Sequence, residues 1–345
     1  MDFFIVFLLI VVFLAILILG HEGGHFLAAR LFGVDVEEFG FGFPPRLFSK
    51  KIGKTIYSFN FFPFGGFVKI KGVDVSKEEA DKIQKNDDLK NDFRSQSTLK
   101  KIIIILSGVI VNFIIGWLAF SVVFMVGIPK AVYVRGTLPE SPAFLAGFQS
   151  GDKILGFEKM EDFIKLIEDS PQKNIEIEIK REGKVLFIEA VPRLDDNLNK
   201  GVLGIELFET GMEKSGLVNS FKNGFEQSVN IMKLIALSLA SIIREGDFSS
   251  VVGPVGVFQA IGSAKELGIP YIFQLLGLIS LNLVFINILP LPALDGGRVI
   301  FIIIEKIIRR PINYKIESAI HSFFFLVLLF LLIAVTIKDV SRLIF

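Results

Sequence analysis

The run HEGGH at residues 21–25 holds the side chains of this chain that are best placed to do chemistry. His21 and His25 stand four positions apart, so on a helix both imidazoles share one face and can bind one zinc ion. Glu22 would then lie beside that ion, where its carboxylate can take a proton from an activated water molecule. The spacing therefore predicts a zinc-dependent hydrolytic site with two metal ligands and a catalytic base.

The sequence around HEGGH predicts that this site lies inside a membrane. Residues 3–20 are almost entirely apolar, and residues 3–29 are long enough to cross a bilayer core of about 30 Å as a helix. Ionisable side chains within a span are costly and are functional by default. Two alternatives stay open. The first is a cleaved signal peptide, which the opening MDFF does not favour. The second is that HEGGH is an interfacial segment or a His-rich helix cap.

A zinc ion held by two histidines needs at least one further protein ligand. The chain has three His in all and no Cys, so the further ligand must be the remaining His or a carboxylate. His321 opens a late apolar segment, where a polar residue at the membrane interface is the commoner role. Asp295, in LPLPALDGGR, is the better candidate. Locally, an Asp-Gly pair is also typical of an ordinary turn.

The order of membrane crossings favours Asp295 as the third ligand. Asp295 follows the third span and HEGGH lies late in the first, so they share a depth only if those spans run the same way. One crossing by the second span satisfies this if the amphipathic segment 217–243 lies on the membrane or beside the core, as its polar residues favour. The chain contains four stretches long and apolar enough to be spans, at residues 3–29, 102–127, 271–291 and 319–337.

This crossing order predicts the orientation of the loops. Residues 30–101 and 292–318 lie inside, while the N-terminus and residues 128–270 lie outside. Basic residues in the second inner loop agree with the positive-inside rule. They are Arg298, Lys306, Arg309, Arg310 and Lys315.

Two segments between the spans predict β structure. Residues 36–72 hold short aromatic and β-branched runs divided by Gly and Pro, which predicts strands and hairpins in or against the membrane surface. Residues 131–208 predict a small α+β module, since Ile175, Ile177 and Ile179 alternate with charged residues. Further predictions for the segments around and within this module are a polar connector at 74–101, a helix at 161–169, a turn at Glu182-Gly183 and a partner strand at 185–191.

Four regions follow from these predictions. Residues 1–127 form the first part of a membrane core and residues 128–210 the α+β domain. Residues 211–270 form an amphipathic helix and linker, and residues 271–345 form the second part of the core, with a turn at 292–298.

The composition supports a membrane class and excludes others. Of the 345 residues, 52% are hydrophobic, which soluble domains rarely reach. The net charge of +1 argues against a nucleic-acid partner, because such proteins usually carry a strong basic excess. The absence of cysteine excludes disulfides and thiolate metal sites. The lipid bilayer is thus the first partner that the sequence predicts.

Four motifs in this order resemble the bacterial site-2 proteases, which are regulated intramembrane zinc metalloproteases. They are HEGGH, PFGGFV, SPAFLAGFQSGDKIL and NILPLPALDGGR. The resemblance covers nearly the whole chain. It implies that His21, His25 and Asp295 bind Zn2+ and that Glu22 is the catalytic glutamate.

The same resemblance implies further site residues and one domain. Residues 131–208 look like a single PDZ domain on the outer face, whereas better-known relatives carry two. Gly65 and Gly66 belong to a segment that would offer a strand edge to an extended substrate. Asn282 and Asn287 fall where the family's span-three asparagines lie. They would bind the substrate backbone or the oxyanion, or else join helices by hydrogen bonds, which is also the preferred interpretation of Asn112.

The function that the resemblance implies is hydrolysis of peptide bonds within transmembrane segments of single-span proteins. Anti-sigma factors and remnant signal peptides are the expected substrates. The expected location is the bacterial cytoplasmic membrane, with the active site toward the cytoplasmic side and the PDZ-like domain outside. A metal-binding scaffold and a metal transporter are the alternatives. Glu22 disfavours the scaffold, and the absence of carboxylates in the second and fourth spans disfavours the transporter.

Overall fold

The computed structural model divides the chain into two compact units. The membrane unit comprises Met1–Val122 and Phe221–Phe345, and the central unit comprises Val123–Ser220. The residues described are 2–73, 91–181, 183–195, 199–246, 253–310, 312 and 314–344. Most of the predicted polar connector, residues 74–90, and Glu182 of the predicted turn lie outside them.

Four helices among the described residues are long and apolar enough to cross a membrane. These segments lie within α1 (Asp2–Leu31), α2 (Thr98–Val126), α7 (Ile269–Ile288) and α9 (Tyr314–Ile344). They confirm the four spans predicted from the sequence, with ends shifted by a few residues. The chain is therefore a polytopic membrane protein with β structure between its helices.

Helices α1 and α2 are antiparallel and pack closely. A Cβ added to Gly20 would lie 2.5 Å from Ile115, and one added to Gly24 would lie 2.7 Å from the carbonyl carbon of Ser107. Small residues at such points let two helix backbones approach where no hydrophobic force drives them together. Gly20 and Gly24, one before HEGGH and one within it, thus have a packing role.

Helix α7 packs against the other side of α2, also antiparallel to it. The Ser280 hydroxyl donates to the Asn112 carbonyl at 2.7 Å, and Gly277 lies against Phe120. Helices α1 and α7 therefore run in the same direction. This is the arrangement that the order of crossings required.

The amphipathic segment forms α5 (Leu217–Glu245), which is not among the candidate spans. Its apolar side packs along α2, where the Trp117 indole donates to the Phe221 carbonyl at 2.8 Å. The Phe225 ring lies 5.7 Å from that of Trp117. Of the two predicted placements of residues 217–243, on the membrane or beside the core, this contact agrees with the second.

Two helices of the membrane unit were not predicted. Helix α6 (Pro254–Leu267) lies in the stretch assigned to a linker, and its Ile261 is buried with Phe13 and Leu17 of α1. Helix α8 (Asp295–Ile308) lies where an inner loop was expected. The predicted turn at 292–298 is therefore too long, because the turn ends at residue 294 and Asp295 already begins α8.

The predicted β region is one long antiparallel hairpin, β1 (Val36–Ile52) and β2 (Thr55–Ile70). The half of the hairpin that contains its outer ends, Val36 and Ile70, packs on α1, where Gly66 lies against Ile18. Beyond residue 42 the first strand is exposed throughout, and it presents large apolar side chains such as Phe48. Aromatic residues on an exposed strand suit a lipid or interfacial environment.

A 3-10 turn, Phe93–Ser95, leads into α2 and is closed by a buried ion pair. Asp92 is 1% exposed and accepts hydrogen bonds from the Arg94 backbone and guanidinium at 2.6–2.9 Å. Phe93 packs beside Val36 and Ile70 of the hairpin in the same apolar cluster. The turn thereby joins α2 to the base of the hairpin.

The central unit is an α+β fold built on a five-stranded antiparallel sheet of order β6-β5-β4-β3-β9, with a separate β7–β8 ladder. Its core holds Phe163, Ile177 and Ile179, so the alternating isoleucines do face inward. The strands are β3 (Ile128–Thr137), β4 (Lys153–Ile154), β5 (Ile175–Arg181), β6 (Lys184–Ala190), β7 (Arg193–Asp195), β8 (Lys200–Val202) and β9 (Ile205–Met212). The helices are α3 (Pro142–Ala146) and α4 (Met160–Glu168).

Candidate active site

Three side chains from two distant segments of the sequence converge in the membrane unit. The Nε2 atoms of His21 and His25 lie 3.3 Å apart, and Asp295 Oδ2 lies 3.3 Å from the first and 3.5 Å from the second. Ligands that sit about 2.0–2.1 Å from a tetrahedral zinc are separated by about 3.3–3.4 Å. The three atoms thus form one face of a tetrahedron of the size that zinc requires.

The surroundings of Asp295 also fit a bound cation. Its Oδ2 atom is buried and has no hydrogen-bond partner among the described residues. A buried acceptor without a donor is costly. Since no donor among the residues that the structure describes serves this oxygen, a metal ion between the carboxylate and the two imidazoles accounts for its position.

His25 is held in the tautomer that a metal ligand needs. Its Nδ1 donates to the Ile104 carbonyl of α2 at 2.9 Å. With the proton on Nδ1, the Nε2 lone pair faces His21 and Asp295. A backbone carbonyl behind a histidine ligand fixes both its tautomer and its ring orientation.

A cavity of about 250 Å³ opens beside the three converging side chains. Glu22 lines it, one residue after His21, so the predicted base and the predicted ligands share one space. The other lining residues come from β2, α2, α7 and the start of α8. They include Gly66, Phe67, Ile105, Asn287, Leu294 and Arg298.

Glycines of α2 and α8 make room for this arrangement. A Cβ at Gly108 would lie 2.5 Å from His25 Nε2 and 2.8 Å from His21 Nδ1. A Cβ at Gly297 would lie 2.6 Å from Pro292 Cα, within the turn that precedes α8. The glycines after Asp295 therefore let α8 fold back tightly on the end of α7.

The structure brings some of the predicted substrate residues to the cavity and not others. Gly66 and Asn287 line it. Gly65 lies outside the cavity lining and packs against the Phe43 ring, while the Asn282 amide donates to the Leu278 carbonyl one turn back on α7 at 2.9 Å. His321, the alternative ligand, lies on α9, 3.9 Å from Glu317, and is not part of the cluster.

Two residues of the site were missed or assigned another role from the sequence. Gly108 was not singled out, and Asn112 was given a packing role, yet its amide lies 3.5 Å from His21 Nδ1. They stand four positions apart, on one face of α2. A polar residue four positions from a glycine inside an apolar span was the signal available in the sequence.

The fold and the site together define a membrane-embedded metallopeptidase. The chain belongs to peptidase family M50, the site-2 proteases, and the family model matches residues 9–331. The resemblance noted in the sequence is thereby confirmed.

Relatives of known name agree with this assignment. The regulator of sigma-W protease RasP of Bacillus subtilis is 27% identical over 95% of this chain and 96% of its own length. The zinc metalloprotease RasP of Geobacillus kaustophilus is 28% identical over 96% and 97%. A Clostridium perfringens protein, also named as a zinc metalloprotease, is 30% identical over 94% and 95%. The protein is thus a zinc metalloprotease of this family, and its cofactor is zinc.

Proposed function

We propose that this protein cleaves peptide bonds within transmembrane segments of single-span membrane proteins. The observation that carries the proposal is the convergence of His21, His25 and Asp295 beside Glu22 in one cavity. Since His21, Glu22 and His25 lie on an apolar helix long enough to span a bilayer, a peptide bond that reaches them must enter the membrane region of the protein.

In this proposal His21, His25 and Asp295 hold the zinc ion. When bound there, zinc supplies Lewis-acid activation of a water molecule and of the scissile carbonyl. Glu22 accepts a proton from the attacking water and then delivers it to the leaving amine. General acid–base catalysis of this kind contributes about 10²–10⁴-fold to the rate.

Asn287 and Gly66 bind the substrate in this proposal. The Asn287 amide lines the cavity and can donate to the oxygen that becomes negative as the carbonyl is attacked, which is where fixed donors act most strongly. Gly66 brings the backbone of β2 to the cavity wall. The substrate would be bound here by its main chain.

An extended substrate would add to the hairpin as a further strand. A helical substrate satisfies its own backbone groups, and once unwound it finds no replacement partners in lipid. The hairpin forms a two-stranded sheet, in which Gly66 pairs with Phe41 on one side. The other side of β2 can provide hydrogen bonds to an added strand.

We place the protein in the bacterial cytoplasmic membrane, with the active site toward the cytoplasmic side. The parallel course of α1 and α7 and the basic residues Arg298, Lys306 and Arg309 after α7 support this orientation. Residues 128–210 would form a PDZ-like domain on the extracytoplasmic side. Their five-stranded sheet with two short helices supports that comparison.

Anti-sigma factors and remnant signal peptides are the proposed substrates. The name of the RasP relative, a regulator of sigma-W protease, supports the first class. A comparison of membrane peptide fragments in cells that carry wild-type protein or Glu22→Gln would separate the two. Fragments of one regulatory protein indicate signalling, whereas many signal-peptide remnants indicate clearance.

Cleavage of a model transmembrane substrate by the purified protein in detergent tests the proposal. Glu22→Gln should retain zinc and lose at least about 100-fold in rate, because the proton acceptor is gone. Asp295→Ala should lose both zinc and activity. His321→Ala is the matched control, since it removes the histidine that lies outside the cluster, and it should cleave like wild type.

Two outcomes would contradict the proposal. Cleavage by Glu22→Gln at the wild-type rate would contradict the role of Glu22 as the general base. Full zinc content in the wild type with no cleavage of any transmembrane substrate would favour a metal-binding scaffold instead.

A further inference from the structure

The Asn112 side chain is buried in the membrane unit with its amide oxygen, Oδ1, unpartnered among the described residues. The residue is 1% exposed. The Nδ2 atom lies 3.5 Å from His21 Nδ1. An amide left partly unpaired in a low-dielectric interior is costly, so its position at the site calls for a partner.

The chemistry of His21 determines which end of the amide should face it. A neutral imidazole carries one proton, and the nitrogen that binds a metal must be free of it. Because His21 Nε2 faces His25 and Asp295, the proton belongs on Nδ1. An N–H at this position needs an acceptor, which an amide nitrogen is not.

The oxygen and nitrogen of an asparagine amide are assigned from the hydrogen-bond network, because they have the same shape. A half-turn of the Asn112 amide brings Oδ1 to His21 Nδ1. That orientation gives the unpartnered oxygen a donor and gives His21 the acceptor it needs.

We propose that Asn112 is a positioning residue whose Oδ1 accepts a hydrogen bond from His21 Nδ1–H and so presents Nε2 to the zinc. Asn112 would fix the tautomer and ring orientation of His21, as the Ile104 carbonyl does for His25. This inference rests on the proposed function only in taking the two histidines as zinc ligands. It assigns a chemical role to a residue for which helix packing had been the preferred interpretation.

The packing role of Asn112 can be separated from the proposed role. The contact with α7 goes through the main chain, since the Ser280 hydroxyl donates to the Asn112 backbone carbonyl. Replacement of the Asn112 side chain leaves that bond available. Replacement of Ser280 by Ala removes the bond and leaves the amide in place.

The zinc affinity of the purified full-length protein, measured by chelator competition, tests the proposal without any assay of activity. Asn112→Leu keeps the size of the side chain but removes the acceptor, and it should weaken zinc binding about 10–100-fold, as loss of such partners typically does. Asn112→Asp keeps an acceptor and should bind within a few-fold of wild type. Ser280→Ala should also bind like wild type.

The outcomes separate this inference from the proposed function. Wild-type zinc affinity in Asn112→Leu would overturn the positioning role, as would equal losses in Asn112→Leu and Ser280→Ala. If Asn112→Leu does not fold, Asn112→Ala replaces it, with the same expected loss. The assignment of the ligands would instead be overturned if the wild type did not bind zinc, or if His21→Ala bound zinc as tightly as the wild type.

Discussion

The two glycines inside HEGGH should respond oppositely to alanine, although they are adjacent and the motif pattern allows any residue at either position. A Cβ at Gly23 meets no atom of the described residues within 4 Å. A Cβ at Gly24 would lie 2.7 Å from the Ser107 carbonyl carbon and 2.9 Å from the Gly108 nitrogen. Both of these are backbone atoms of α2, which cannot turn aside as a side chain can.

The size of the effect follows from these distances. Ordinary contact begins near 3.4 Å, and the Ser107 carbonyl oxygen lies nearer still than its carbon, so Gly24→Ala must move α1 and α2 apart by at least about 0.7 Å. That shift would stretch the 2.9 Å bond from His25 Nδ1 to the Ile104 carbonyl to about 3.6 Å, beyond hydrogen-bond range. Overpacking of this kind costs about 1–3 kcal/mol in stability. A displacement near 1 Å at reacting groups costs about 100-fold in rate.

Gly23→Ala is the matched control. It adds the same methyl group to the same helical turn without a clash, and it should stabilise the helix by about 0.5–1 kcal/mol. Cleavage rate, zinc affinity and thermal unfolding in detergent should be measured for both variants. Equal rates and equal zinc affinities for Gly23→Ala and Gly24→Ala would show that the close approach of α1 and α2 does not hold His25 in place.

Three further predictions concern the metal and the stability of the membrane unit. Gly108→Ala should lower zinc affinity by at least about 10-fold, measured by chelator competition, because its methyl group would enter the space of both imidazoles. Removal of zinc by a chelator should abolish cleavage reversibly and lower stability by about 2.7 kcal/mol relative to a zinc concentration of 100 Kd, seen as a lower Tm. Asp92→Asn should cost about 2 kcal/mol, because Arg94 loses a buried charged acceptor. Burial alone would raise the pKa of Asp92, but the hydrogen bonds and charge of Arg94 outweigh it and lower that pKa. Its stabilisation is therefore complete above the ordinary Asp pKa, about 3.9, and is lost as the pH falls through the folded-state value. Wild type and Asp92→Asn should thus converge in stability in acid, and a constant difference down to the lowest pH would contradict this account.

Local pattern was sufficient to predict the spans and much of the α+β module. Apolar runs such as residues 102–127 are long enough that few alternatives compete, and the alternation of Ile175, Ile177 and Ile179 matches the period of a strand. The convergence of Asp295 with HEGGH could also be argued from the sequence, because the number of crossings limits which loops share a depth.

Other features depended on contacts between distant segments. Helix α8 lies in the segment that the order of crossings and the basic residues assigned to an inner loop, and only packing shows that its Ile302 is buried. Gly108 carries no chemistry of its own, and its importance lies in what stands opposite it. The sequence likewise could not separate Asn287, which faces the cavity, from Asn282, which bonds to its own helix.

The proposed zinc ligands are far apart in the sequence, since His21 and His25 lie on α1 and Asp295 begins α8. An ion held by all three is a cross-link. Joining residue 25 to residue 295 closes a loop of about 270 residues. The lost conformational entropy raises the free energy of the unfolded chain by roughly 5–6 kcal/mol. A partly synthesised chain would carry HEGGH without its third ligand. With these ligands, hydrolytic competence would arise only after α8 has packed against α1.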